Sequence, residues 1–245
     1  MKKWIVVLFA LLPSIALAAG GNVHLDKANN DLTDKASLQN GAKLFVNYCL
    51  GCHSTQYQRY ERVANDLDIP VELAKESLVF DPEAKIGDLM VNSMPQKQAA
   101  NWFGAPPPDL TLVARVRGAD WLYTYLRSFY ADPSRPFGVN NVTFPNVGMP
   151  HVLEELQGVP SAIYETKMVD GEEVKAIVGT ETDGRGELSS SEYDSAVRDL
   201  VNFLEYSGDP VKLERHALGW WVMAFLVLFT IVVVLLKKEY WRDVH

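Results

Sequence analysis

Cysteine is scarce in this chain of 245 residues: there are two, both inside one pentapeptide. Histidine is scarce as well. Four of the five (His24, His151, His216 and His245) are scattered along the chain. A structural zinc site wants four Cys or His ligands, so that chemistry is excluded. No strand–helix–strand pattern surrounds the cysteine pair, as a thioredoxin-like dithiol would require. Basic charge is in deficit: 23 Lys and Arg stand against 31 Asp and Glu, a formal charge of −8. That balance argues against a nucleic-acid partner and against a basic membrane-surface protein. No segment of 20 to 50 residues recurs, which removes repeat architectures. Charged residues make up an ordinary 22%, so nothing suggests disorder.

What the chain does have is Cys49-Leu50-Gly51-Cys52-His53. Cys-x-x-Cys-His is the attachment pattern of a c-type haem. The spacing puts two thiols on one turn of backbone, each within reach of one porphyrin vinyl group. The next residue, His53, is then carried beneath the iron as its proximal ligand. A second such pattern is absent, so one covalently bound haem c is expected. With both thiols so used, no structural disulfide can form.

The two ends read as membrane signals. Lys2 and Lys3, the apolar residues 5–12 and Ala16-Leu17-Ala18 form a secretory leader. Cleavage after Ala18 is expected; loss of Lys2 and Lys3 takes the formal charge from −8 to −10. Residues 218–236 are almost wholly apolar and uncharged, 19 residues in all, enough to cross a bilayer. Trp220 and Trp221 border the run on one side, with Tyr240 and Trp241 near the other. Lys237, Lys238 and Arg242 follow it, which puts the C-terminus on the cytoplasmic side. The expected division is a leader at 1–18, a periplasmic domain at 19–216, an anchor at 217–237 and a cytoplasmic tail at 238–245. The expectation is a single-pass protein of a bacterial inner membrane.

Between the ends the pattern is mainly helical. Ser37 predicts an N-cap for a helix over 38–49, with Leu38, Ala42, Phe45 and Tyr48 at helical spacing. Gly41 would let another helix cross closely. The partner is a last helix opened by the capping box Ser189-x-x-Glu192 and closed by Gly208 and Pro210. Residues 105–110 should be extended and stiff, a wall suited to a flat porphyrin. Asp109 is expected to cap the helix that follows. A short helix is expected at 71–79, another at 119–130, and a hairpin with strands at 161–169 and 172–178 turning at Asp170-Gly171. Residues 180–190 read as a loop.

An iron held by one His needs a sixth ligand, and Met suits electron transfer. Met90 and Met168 have no helpful context. Met94 and Met149 are each followed by Pro, which stiffens the presenting loop, and spacing alone allows either.

A Gly-x-x-x-Phe helix, the haem motif, a Met loop and a helix containing Leu200-Val201-Asn202-Phe203-Leu204 together resemble the class I cytochrome c fold. Residues 41–60 (GAKLFVNYCLGCHSTQYQRY), 105–115 (APPPDLTLVAR) and 144–153 (FPNVGMPHVL), with the single tail anchor, resemble the cytochrome c1 family in particular. The fold class implied is mainly α: a class I cytochrome c-like domain with loop insertions and a small β-hairpin, plus one C-terminal transmembrane helix. The resemblance favours Met149 as sixth ligand and implies that Arg115 lies beside a haem propionate. Family members often have Tyr where Trp121 stands, so a phenol contact to haem is in doubt here.

The resemblance further implies a non-catalytic subunit of a quinol–cytochrome c reductase. It would take one electron from the Rieske iron–sulfur subunit and pass it to a cytochrome c, beside cytochrome b in a dimeric complex. Acidic runs such as Glu154-Glu155 could steer a basic partner. Two alternatives stay open: a free-standing anchored cytochrome c serving a terminal oxidase, and a haem catalyst or gas sensor with an open iron.

Overall fold

Two helices from distant parts of the chain meet at a glycine. The computed structural model describes residues 24–169 and 172–244; the leader at 1–18 and the Asp170-Gly171 turn lie outside them. Helix α1 (Lys35–Leu44) starts one turn earlier than Ser37 predicts. Its N-cap is Asp34, whose carboxylate accepts the Ser37 N–H at 3.1 Å. The anionic cap suits the positive end of the helix. Ser37 is instead one turn inside, where its hydroxyl donates to Asp199 at 2.6 Å. Asn40 donates to the other oxygen of that carboxylate at 2.8 Å. The helix then widens into a π-turn, Phe45–Cys49, in which the Leu50 N–H reaches back to the Phe45 carbonyl at 2.9 Å.

Asp199 belongs to α8 (Ser190–Gly208), which opens with the expected capping box at Ser189 and Glu192. Where α1 and α8 cross, Phe45 and Phe203 pack ring to ring at 5.5 Å. Leu38, Ala42, Phe45, Leu200, Val201 and Phe203 are all essentially removed from water there. Each large one contributes roughly 1.5–3 kcal/mol of hydrophobic stabilisation, and together they form the core on which the haem motif sits.

The chain between those helices wraps the core in short elements. Strand β1 (Thr55–Arg59) leads into α2 (Tyr60–Asp66) and α3 (Val71–Leu78), and pairs antiparallel with β2 (Leu89–Met90). Helix α4 (Gln96–Phe103) ends at Gly104, whose φ of 80° closes the helix and sends the chain into the proline segment. Helices α5 (Val113–Arg117) and α6 (Ala119–Arg127) follow. Asp109 does not cap α5; its carboxylate accepts the N–H groups of Gln56 at 2.8 Å and Thr111 at 3.0 Å. It thereby pins the proline segment to β1 before the helix begins.

Helix α6 stops three residues short of Tyr130. The Asn141 side chain donates to the Tyr125 carbonyl at 2.8 Å, occupying an acceptor at the helix end. Residues Phe129–Ala131 then form β3, paired antiparallel with β4 (Val139–Asn141). Helix α6 is tied to α8 by Tyr193, which donates to the Leu126 carbonyl at 2.9 Å, and by an Arg127–Asp194 ion pair at 2.5 Å. After the single turn α7 (Glu154–Gln157), β5 (Ser161–Val169) and β6 (Glu172–Glu181) form the expected hairpin. Strand β6 runs three residues past 178, taking part of the expected loop, and a bulge lies after Ile163. Helix α9 (Lys212–Tyr240) is exposed along its length and is long and apolar enough to cross a membrane. None of its apolar window is buried against the domain, so it is not a core helix.

Candidate haem site

The π-turn delivers Cys49 to the end of the first helix, where the backbone folds tightly. The N–H groups of Cys52 and His53 both donate to the Cys49 carbonyl, at 3.0 and 2.8 Å. Two thiols and an imidazole are thus gathered on one turn. Burial pushes the Cys49 thiol up to about 12, with the nearby Cys52 thiol adding to the shift. Burial also raises Cys52.

The proline segment fixes the imidazole. Nδ1 of His53 lies 2.7 Å from the Pro108 carbonyl oxygen. A carbonyl can only accept, so Nδ1 carries the proton and Nε2 keeps its lone pair for a metal. Burial lowers the His53 pKa, against smaller opposing effects of Pro108 and Asp109, and so favours the neutral, ligating form. The motif is also braced from behind: Asn92 donates to the Cys52 carbonyl at 2.6 Å, and the Leu110 N–H to the Ser54 carbonyl at 2.8 Å.

Cys49, Cys52 and His53 open onto one cavity of about 400 Å³. Its walls are Pro106 to Pro108, Trp121 and Tyr125 of α6, Leu200 and Leu204 of α8, and Met149. Of the four candidate methionines, Met149 alone lines it. Met94 borders a separate space of about 70 Å³ beside Cys52. Met90 is fully buried, and Met168 stands 65% exposed on the hairpin. The loop before Met149 is built by polar residues that its sequence pattern does not advertise. Oδ1 of the buried Asn141 accepts the N–H groups of Thr143 and Phe144, at 2.9 and 3.0 Å. Asn140 accepts the Asn146 N–H at 2.8 Å, and Arg135 donates to the Asn146 carbonyl at 3.0 Å.

The two arginines of α5 part company. Arg115, expected at a propionate, is not among the residues lining the cavity; its stem lies 3.1 Å from where a β-carbon on Gly208 would be. Arg117 does line the cavity, its guanidinium 4.9 Å above the Trp121 ring and 5.8 Å from that of Phe144. Positions two apart on a helix point to different sides, and here it is the second that reaches the site. His151 is buried and stacked on Phe129 at 4.9 Å. Burial lowers its pKa to about 4 and keeps it neutral, in keeping with a packing role.

These residues fit a c-type haem. The cavity is apolar and walled by stiff backbone, with two thiols at one turn, an imidazole of fixed tautomer, a thioether and a single guanidinium. Cys49 and Cys52 would hold the porphyrin, His53 and Met149 the iron, and Arg117 a propionate.

Residues 27–244 match the family model described as "Cytochrome C1 family". Cytochrome c1 of Allochromatium vinosum is 53% identical, covering 100% of both chains. A Nitrosomonas europaea protein named ammonia monooxygenase gamma subunit is 44% identical over 100% of this chain and 99% of its own. Cytochrome c1 of Blastochloris viridis is 26% identical over 86% of this chain and 82% of its own. The chain belongs to the cytochrome c1 family, the haem-bearing subunits of the bc1 complex.

Proposed function

We propose that this chain is a one-electron relay with a single haem, which Cys49 and Cys52 would hold through thioethers and whose iron His53 and Met149 would ligate. One observation carries the reading: those four residues line a single cavity, and the Pro108 carbonyl leaves the His53 Nε2 free to bind a metal. When bound, haem supplies the ferric/ferrous couple. The protein supplies everything around it. His53 is held neutral and oriented. Met149 would give the iron a second protein ligand and so leave small ligands no open place, which disfavours catalysis or gas sensing. Trp121, Tyr125, Leu200 and Leu204 exclude water from the cavity walls, and Arg117 offsets carboxylate charge at its edge.

The donor in this reading is a Rieske iron–sulfur subunit and the acceptor a cytochrome c, with cytochrome b beside the anchor in a dimeric complex. Residues 19–216 lie in the periplasm after cleavage at Ala18, and α9 crosses the inner membrane. Extraction in mild detergent tests the assignment. Co-migration with a b-type cytochrome and an iron–sulfur protein supports it. A lone haem protein would favour a free-standing shuttle. Co-migration with monooxygenase subunits would favour the partner set in the Nitrosomonas relative's name.

A further inference from the structure

The hydroxyl of Tyr125 lies 3.3 Å from the sulfur of Met149. Thioether sulfur is a weak acceptor that hydroxyls seldom choose, yet among the described residues it is the partner this hydroxyl has. The phenol cannot turn elsewhere. Its ring is stacked on Trp121 at 4.9 Å and 9° between planes, and abuts Phe129 edge-on at 5.3 Å. Only 9% of Tyr125 is exposed.

A second relationship registers the pair. Asn141 is 1% exposed. Its amide nitrogen donates to the Tyr125 carbonyl at 2.8 Å, and its oxygen accepts the Thr143 and Phe144 N–H groups at 2.9 and 3.0 Å. One side chain therefore locks the helix carrying the donor to the loop carrying the acceptor. Chance proximity would not need such a clamp.

We propose that Tyr125 is a positioning residue for the sixth ligand: its hydroxyl holds the Met149 sulfur and raises the reduction potential of the centre. The physics runs through the sulfur's two lone pairs. One is available to the iron and the other accepts the phenol proton. Density drawn toward the proton makes the sulfur a poorer donor. Ferric iron depends on that donation more than ferrous iron, so the reduced state is favoured.

This inference rests on Met149 being the ligand, and the experiment separates the two. Three haem-loaded, detergent-solubilised full chains are compared: wild type, Tyr125→Phe and Met149→Leu. Midpoint potential is read by spectroelectrochemistry, and ligation by the ferric sulfur-to-iron charge-transfer band. Tyr125→Phe keeps the ring and loses the proton. Its potential should fall, and its band should shift and be lost at lower denaturant. Met149→Leu should abolish the band. If Met149→Leu keeps the band, the ligand assignment fails and this inference with it. If Met149→Leu loses it while Tyr125→Phe matches wild type in potential and band, this inference alone fails. Should Tyr125→Phe not fold, proton NMR of the ferrous wild type decides. A slowly exchanging Tyr125 hydroxyl with a nuclear Overhauser effect to the Met149 methyl is expected. A hydroxyl exchanging like a surface phenol overturns the proposal.

Discussion

Gly41 and the Asp199 carbonyl leave no room between them: a β-carbon on Gly41 would stand 2.0 Å from that oxygen. The β-carbon of Phe203 would be only 2.7 Å away as well. Backbone cannot swing aside as a side-chain tip can, so α1 and α8 would have to separate. Gly41→Ala gains up to about 1 kcal/mol of helix propensity but loses more through overpacking, roughly 1–3 kcal/mol. The expected outcome is a lower denaturation midpoint and weaker haem retention, read by following the haem absorbance through a denaturant titration.

Asn141→Ala should be among the most damaging single changes outside the haem ligands. It removes the acceptor for two loop N–H groups and the donor to the Tyr125 carbonyl, two of the three bonds being buried. The Tyr125 carbonyl keeps Ser128 as a donor, but leaving a buried N–H such as that of Thr143 unsatisfied costs about 1–3 kcal/mol. Loss of the Met149 band at moderate temperature, before loss of His53 ligation, is the expected sign.

Arg117→Gln and Arg115→Gln should behave differently although they sit two residues apart. Arg117 stands at the cavity, and a positive charge there favours the ferrous state. Its loss should lower the midpoint potential. Arg115 packs its stem against Gly208, so Arg115→Gln should leave the potential unchanged. Parallel redox titrations read both.

Acid should weaken the clasp between α6 and the chain ahead of α1. The Asp120 carboxylate is held below its ordinary 3.8, first by the Lys27 hydrogen bond and then by the Ala28 N–H. A lowered folded value means stability that is present above 3.8 and lost as pH falls through the folded value. Asp120→Asn should therefore be less stable than wild type at neutral pH. The gap should close below 3.8, as thermal unfolding at several pH values would reveal.

Much of this was legible in the linear chain because it is local. Cys49, Cys52 and His53 are one turn of backbone, the Ser189–Glu192 box is one helix start, and Gly41 announces a close crossing by lacking a side chain. What escaped depends on neighbours far away. Asp34 caps α1 because Asp199 claims Ser37. Helix α6 ends at Arg127 because Asn141 takes up the Tyr125 carbonyl. Arg117 reaches the cavity in place of Arg115 because α8 sets how α5 is rotated, and a five-residue helix carries too little periodicity to fix that. The clamp of Asn140, Asn141 and Arg135 on the Met149 loop has no sequence signature, being three polar residues in a stretch that reads as turn.

A porphyrin fixed through two sulfurs to one short turn should stay on the chain after denaturation. Wild type and Cys49→Ser/Cys52→Ser, made in cells equipped for c-type maturation, should be run on a denaturing gel and stained for haem peroxidase activity. A stained wild-type band with an unstained double variant is the predicted result. An unstained wild-type band whose two thiols react freely with an alkylating reagent would contradict it.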